Sequence, residues 1–444
     1  MKRLTHCALA AVLCCAVALS LADTAISIAP VKTLQINRDL SEEGKACITC
    51  HQQVSPGQVA DWADSRHAHA GISCIDCHAV PQDAPHATRH ANVEDTPVFV
   101  SALVSPDVCG RCHIDAKKQF DASGHFRAYR QIIPKDSLHA LTEVHEGRSH
   151  PEFGGAPNET GCMQCHGTRI TLDENNRPTP ETWPNNGMGN IYPDGSTGSC
   201  NACHSRHKFS IAEARHPHAC ASCHLGPDHP NIEIFENSKH GHLYNTEGDE
   251  WTMDSAPDAW EPGDYRGPTC ATCHMSGIGE LAVTHNISER LYWNLWAKRS
   301  DVRGSDDVLS PLLGDGPAGR EKMKMVCNNC HTSRHTDGFF AQGDKAVMLY
   351  NEAYYEPATA MLNELKEKGL LKDNPWTDEF QITYYYLWHH QGRRARQGAM
   401  MGAPDYAHWH GFFELQQDLY KLEQIHAKRM ETGQIGDKVP SSKH

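Results

Sequence analysis

Cys220-Ala221-Ser222-Cys223-His224 is one of eight Cys-x-x-Cys-His runs in a chain of 444 residues. The others open at Cys47, Cys74, Cys109, Cys162, Cys200, Cys270 and Cys327, have Cys50, Cys77, Cys112, Cys165, Cys203, Cys273 and Cys330 as their second thiols, and close on His51, His78, His113, His166, His204, His274 and His331. At these residue frequencies chance would give roughly 0.05 such runs. The motifs use 16 of the 19 cysteines, and Cys7, Cys14 and Cys15 sit in an N-terminal apolar stretch. Each thiol pair is spaced to add to the two vinyl groups of one haem, with the adjoining His beneath the ring as proximal iron ligand. Structural zinc also takes paired cysteines, but it would not require a His at all eight fifth positions. Eight covalent c-type haems are therefore expected. A disulfide scaffold is disfavoured, because no cysteine outside the apolar stretch lacks a motif.

The charge balance of 41 − 55 = −14 has the wrong sign for a nucleic-acid binder. Met1-Lys2-Arg3, the apolar run from Ala8 to Leu19 and the small-residue exit Ser20-Leu21-Ala22 predict a signal peptide over 1–22 and a periplasmic or equivalent extracytoplasmic location. Leu13 before Cys14 argues against lipoprotein processing. No later segment is long and apolar enough to span a bilayer, so no membrane span is expected in the mature chain.

Dividing 444 − 22 residues among eight motifs leaves roughly 53 per haem, too few for separate apolar domains. The porphyrins must then supply core surface, which accounts for a hydrophobic content of only 39%. The expected fold is mainly α, a haem-packed multihaem cytochrome c with few or no strands and a C-terminal bundle of long helices. The haem-binding region is expected over 23–340, helical and loop-rich. A bundle serving as subunit contact is expected over 341–432, with helices at 343–369, 376–402 and 408–431 and a kink or restart at Pro357. The run from Asp301 to Asp307 and the tail 433–444 read as solvated or flexible.

A weak repeat, aromatic-x-x-Ser-x-His, occurs at Trp62–His67, Phe120–His125 and Phe235–His240. It suits a short helix that offers His to the far side of a neighbouring haem. Of 31 histidines, eight are proximal and His6 is in the leader, leaving 22. Seven are needed if one iron stays open, and the candidates are His67, His86, His125, His139, His207, His240 and His285. His69, His90 and His335 lie near enough to substitute. An iron with two His ligands only exchanges electrons, whereas an open one turns over a small nitrogen or oxygen species. Spacing alone does not identify the open one.

The segments Cys162–His166, Cys200-Asn201-Ala202-Cys203-His204-Ser205-Arg206-His207-Lys208-Phe209-Ser210, Cys220–Pro230 and Ser238-Lys239-His240-Gly241 resemble octahaem hydroxylamine oxidoreductase. The likeness continues through Cys270–His274, Thr284-His285-Asn286-Ile287, the motif at Cys327 and Ala403-Pro404-Asp405-Tyr406-Ala407-His408-Trp409-His410-Gly411. It implies that Cys162, Cys165 and His166 hold the catalytic haem and that Asp228 and His229 lie over its open face, accepting the protons released when hydroxylamine is oxidised. Taken alone, Gly226-Pro227-Asp228 also reads as a turn with a helix N-cap.

The resemblance further implies that Tyr406 bonds to the catalytic haem of a neighbouring subunit in a homotrimer, a feature of the oxidising members. Taken alone, Tyr406 also reads as a Tyr packed at a helix start. The expected substrate is accordingly hydroxylamine or hydrazine, with a soluble cytochrome or a quinone-linked membrane cytochrome as redox partner. The sequence departs from the longer oxidising members in its compact N-terminal region and in having no C-terminal membrane helix after Gly433, and relatives that reduce nitrite to ammonia also tend to be compact, so reduction of nitrite or hydroxylamine is the alternative. A pure electron carrier with every iron closed by two His ligands is the third reading.

Overall fold

The computed structural model describes residues 39–93, 96–132, 162–291 and 316–436. The expected leader, His139, the 301–307 run and residues 437–444 lie outside them.

Each motif is about one helical turn. The closing His N–H bonds to the first Cys carbonyl at Cys109–His113 (2.9 Å), Cys200–His204 (3.1 Å), Cys220–His224 (2.9 Å) and Cys327–His331 (2.8 Å). Positions i, i+3 and i+4 of a turn share one face, so two thiols and an imidazole are presented together. Two of the turns are pinned by their own caps. Ser73 N donates to Asp76 Oδ2 at 2.7 Å ahead of Cys74–His78, and Thr269 and Thr272 cap one another ahead of Cys270–His274.

The aromatic-Ser-His repeat has a shared geometry. Ser65, Ser123 and Ser238 each bond through the backbone N–H to the carbonyl of the aromatic residue three before it, at 2.9 Å in every case. Their hydroxyls then cap the next turn: Ser65 accepts from Ala68 N, Ser238 from Gly241 N and Ser123 from Phe126 N. All three serines are buried. The Ser ends one helix and starts the turn that carries the His two residues on.

Strands are confined, among the described residues, to one antiparallel hairpin, β1 (Thr88–Val93) and β2 (Thr96–Val100), with Thr88 opposite Val100 and an irregularity between Arg89 and Asn92. The fold is mainly helical, as expected.

The C-terminal part consists of three interrupted helical runs. The first is α1 (Ser333–Tyr350), a π-helical turn over Asn351–Tyr355 and α2 (Glu356–Glu367). The second is α3 (Glu379–Tyr385), a π turn over Tyr386–Gln391 and α4 (Gly392–Met400). The third is Pro404–Ala407, a π turn over His408–Phe412 and α5 (Phe413–Thr432), which ends on Gly433 in the left-handed region. The break expected at Pro357 is the first π turn, which leaves Pro357 in the first turn of α2, where its missing N–H costs nothing. The first run begins ten residues earlier than expected, because Thr332 Oγ accepts from His335 N and starts α1 directly after the eighth motif.

Most of the buried apolar side chains that pack together are in these runs: Tyr350, Leu365, Phe380, Leu387, Leu415 and Leu422 belong to one cluster. Among the described residues the motif region has two small ones, Leu103–Ile170–Tyr192 and Met253–Trp260–Tyr265. Helices in the bundle approach closely at glycines. A Cβ on Gly411 would meet Ala395 Cα at 2.6 Å, and one on Gly398 would meet Ala407 Cα at 2.9 Å. No helix among the described residues is long and apolar enough to cross a membrane.

Candidate functional site

Imidazoles from distant parts of the chain face the motif histidines at a nearly constant separation. Ring centres are 6.0 Å apart for His51 and His90, 6.0 Å for His113 and His67, and 6.2 Å for His78 and His207. They are 6.4 Å apart for His204 and His285, 6.1 Å for His224 and His125, and 6.2 Å for His331 and His240. Two imidazoles sharing one iron, each nitrogen about 2.0 Å from the metal and about 1.1 Å from its ring centre, would have centres about 6.2 Å apart. The residues present therefore fit haem iron.

His67, His125, His207, His240 and His285 thus each face a motif ring. His86 does not: the imidazole opposite His51 is that of His90 on β1, while His86 is buried with its Nδ1 unpartnered. The physical reason is the hairpin, whose strand carries His90 to the first motif. Ring centres of His224 and His229 are also 6.2 Å apart, at 63°.

The motifs adjoin one another in an order unlike the sequence order. Motif sulfurs adjoin one another at Cys109 and Cys200, at Cys220 and Cys270, and at Cys223 and Cys165. Electrostatic contact links Cys47 to Cys74, Cys77 to Cys109, Cys203 to Cys220 and Cys273 to Cys327. Motifs one, two, three, five and six form a line; motifs four and seven join at six, and eight joins at seven.

Asp228 and His229 meet this network beside the fourth motif. His229 Nδ1 lies 2.6 Å from Asp228 Oδ1, and the charges of both are felt by the partly buried His166 ring, whose Nδ1 bonds to Ala128 O at 3.2 Å. Burial works to raise the Asp228 carboxyl, but the hydrogen bond with His229 and the charges of His229, His389 and Arg393 outweigh it and hold the group well below the usual carboxylate range. The guanidinium of Arg393, buried on α4, reaches Asp228 Oδ2 at 3.4 Å. Its neighbour Arg394 donates to Pro227 O at 2.9 Å and pairs with Glu414 at 2.8 Å. The loop is thus clasped by the bundle. Asn231 extends the clasp, contacting His224 Nδ1 through its Oδ1 at 3.2 Å and donating to Gln397 Oε1 at 2.8 Å.

Sequence reasoning misses the bundle side of this site, since His389, His390 and Arg393 read only as part of a long helix. The available signal is His389-His390-Gln391-Gly392-Arg393-Arg394 within an otherwise apolar run, because buried cations need partners. The π turn over Tyr386–Gln391 carries both histidines, and burial pushes His390 down to about 4, partly opposed by Asp228. Tyr406 is half-buried, its ring centre 4.8 Å from that of His410, and burial pushes its hydroxyl up to about 12.

Two family models match: "Seven times multi-haem cytochrome CxxCH" over residues 195–375, and "Cytochrome c554 and c-prime" over residues 108–205. Over 372 residues the chain is 28% identical to a probable nitrite reductase-hydroxylamine oxidoreductase fusion protein of Kuenenia stuttgartiensis, a match covering 74% of this chain. The chain spans 38% of that relative's length. Among solved structures it is similar in fold to a hypothetical multiheme protein, with TM-score 0.72, 22% identity, and 89% of this chain and 97% of that one covered. It is also similar in fold to a reducing HAO-like protein complex of Kuenenia stuttgartiensis, with TM-score 0.62, 20% identity, and 88% and 86% covered. With its motifs and these matches, the chain is a multihaem c-type cytochrome with covalently bound haem, related to hydroxylamine oxidoreductase-like proteins.

Proposed function

We propose that the chain is an exported octahaem oxidoreductase that takes electrons from hydroxylamine or hydrazine at the fourth motif and passes them along the other seven. The reading is carried by one observation: the partly buried Asp228–His229 pair adjoins His166, and the hydrogen bond from His229, with His389 and Arg393 of the bundle beside it, keeps the Asp228 carboxyl ionised. Cys162, Cys165 and His166 would hold the catalytic haem. The proposed ligand pairs are His51 with His90, His78 with His207, His113 with His67, His204 with His285, His224 with His125 and His331 with His240.

When bound, the haems supply the iron that takes the nitrogen compound and the one-electron acceptors that drain it. The chain manages the protons. Asp228 accepts from His229 Nδ1–H, which fixes the tautomer and leaves Nε2 as the free base. A proton taken at Nε2 makes an imidazolium that the ionised Asp228 stabilises directly. Arg393, paired to the other carboxylate oxygen, keeps Asp228 from taking that proton itself. Tyr406 is proposed as the cross-link to a neighbouring subunit of a homotrimer. The redox partner is proposed to be a soluble or quinone-linked membrane cytochrome.

A second reading, reduction of nitrite to ammonia, is favoured by the buried cation Arg393 and by Arg394 beside the dyad, which would suit an anionic substrate. A denaturing, reducing gel of protein from its native host, stained for covalent haem, separates the two. Haem-positive bands at three chain masses are expected for oxidation, whereas a single band at one chain mass would make reduction the leading reading. Under either, Asp228→Asn should cut turnover about 10²–10³-fold with haem content unchanged; full turnover would remove the dyad from the mechanism.

A further inference from the structure

The motif histidines differ in what their outer ring nitrogen meets. His51 Nδ1 contacts Ser55 Oγ at 2.8 Å, His78 Nδ1 contacts Ser101 O at 2.7 Å, and His166 and His224 contact Ala128 O and Asn231 Oδ1 at 3.2 Å. Among the described motif histidines, only His274 has an Nδ1 that is both buried and without a partner. A ligating imidazole that donates its other N–H is a stronger electron donor to its metal, so the bond normally made there favours the oxidised iron. At the seventh motif that push is missing.

A second observation acts in the same direction at the same place. Arg290 is 2% exposed, and its guanidinium is wrapped around the seventh motif. It donates to Thr272 O at 3.3 Å, Cys273 O at 3.4 Å, Ser276 O at 2.8 Å and Ala282 O at 3.0 Å. All four acceptors are neutral carbonyls, so the charge is solvated but not cancelled. The nearest acid, Glu289, gives its own charge to Lys322 at 2.6 Å and bonds Thr284 at 2.6 Å. The His274 ring lies within reach of the Arg290 charge. A fixed buried cation favours the iron state with one less positive charge, and burial magnifies its effect.

We propose that Arg290 and the unpartnered His274 Nδ1 make the seventh haem position the most readily reduced in the chain, an electron store between positions six and eight. The location suits the role, since the seventh motif adjoins the sixth at Cys220 and Cys270 and the eighth at Cys273 and Cys327. The exchange is one electron: position six is oxidised by one as position seven is reduced by one, with no proton moved and no bond made. Arg290 is a tuning residue and touches no substrate. The inference rests on haem attachment at Cys270–His274 and is independent of substrate and direction.

The test is a potentiometric titration of the haem-loaded protein followed by optical and spin-resonance spectra, with haem content checked for every variant. In Arg290→Gln the highest-potential component should fall so that its ferrous-to-ferric ratio at fixed potential drops about tenfold, a shift of about 59 mV for one electron. The other components should stay in place. Arg290→Lys, which keeps the charge, should leave that component within about threefold of wild type. Glu289→Gln, which removes the nearest acid, should move it upward. A purely structural role for Arg290 predicts no such opposition of sign. The proposal is overturned if the highest component is unmoved in Arg290→Gln, if a different component moves, or if Arg290→Gln and Glu289→Gln shift it the same way. Should Arg290→Gln fail to accumulate with haem, the Lys and Glu289→Gln variants still decide, because an upward shift in Glu289→Gln with none in Arg290→Lys is required.

Discussion

The described residues between 39 and 291 and the helical runs from Ser333 to Thr432 are built by different means. The bundle fills its interior with its own side chains, Tyr350, Leu365, Phe380, Leu387, Leu415 and Leu422 among them, and secures one end with Arg429 on the Asp378 carboxylate at 3.0 and 3.1 Å. Among its described residues the motif region, much longer, gathers only two small apolar clusters and spends its order on single-turn motifs, capped serines and facing imidazoles. The contrast teaches where the core of each region comes from. One is a side-chain core; the other is organised around groups that the chain attaches.

The most severe way to break this comparison is to withhold haem. Chain produced without haem attachment should lose protection from protease across 39–291, while a fragment covering roughly Ser333 to Thr432 persists, since unfilled pockets leave each segment too little apolar surface to repay its ordering. The measurement is limited proteolysis with mass assignment of the fragments. Equal resistance of both regions, or loss of the bundle first, would end the distinction.

A narrower probe sits on the hairpin. His90, not His86, faces His51 at 6.0 Å. His90→Ala should therefore convert one haem from a two-histidine, low-spin signal to a high-spin one, whereas His86→Ala should leave the haem spectrum alone. The reverse result would mean that the hairpin register misplaces the first pair. The same approach at the sixth motif distinguishes His125 from His229, whose rings stand almost equally far from His224. Changing His125 should open that iron, and changing His229 should not.

These cases also mark how far the sequence can be read. The motifs are local, one turn each, so Cys and His spacing alone places thiols and proximal rings. The Trp62, Phe120 and Phe235 repeats are legible for the same reason, because Ser65, Ser123 and Ser238 act over three residues. The helical runs are legible by composition, to within the ten residues that Thr332 adds at the start. The hidden features depend on long-range approach. His90 and His86 are four apart, and only the pairing of β1 with β2 chooses between them. His389, His390 and Arg393 read as ordinary helix surface until α4 is seen against the loop at Pro227–Asp228, more than 160 residues away. Arg290 carries no sequence signal, since its acceptors are backbone carbonyls, which every residue possesses.

The smallest expected effect lies in the bundle, where stability should depend on pH through side chains that bear no haem. Asp418, on α5, accepts from Gln391 Nε2 at 2.9 Å, and burial pushes its carboxyl up to about 7, with Glu414 adding to the rise and Lys421 and Arg394 opposing it. A folded value above the unfolded one, about 3.9, means the folded chain holds this proton more tightly. The resulting stabilisation is fully present below about pH 4 and is lost as pH rises through about 7. Asp418→Asn keeps an oxygen for Gln391 and removes the titration. At pH 8 the variant should unfold about 2–5 °C above wild type, and the gap should close as the pH falls toward 4. Thermal unfolding across that range, followed by far-ultraviolet circular dichroism with haem absorbance recorded in parallel, is the check. A gap independent of pH would show that Asp418 is solvated after all. A pH-dependent gap seen by haem absorbance but not by helix content would place its influence in the motif region, and the two regions could no longer be treated as held by separate means.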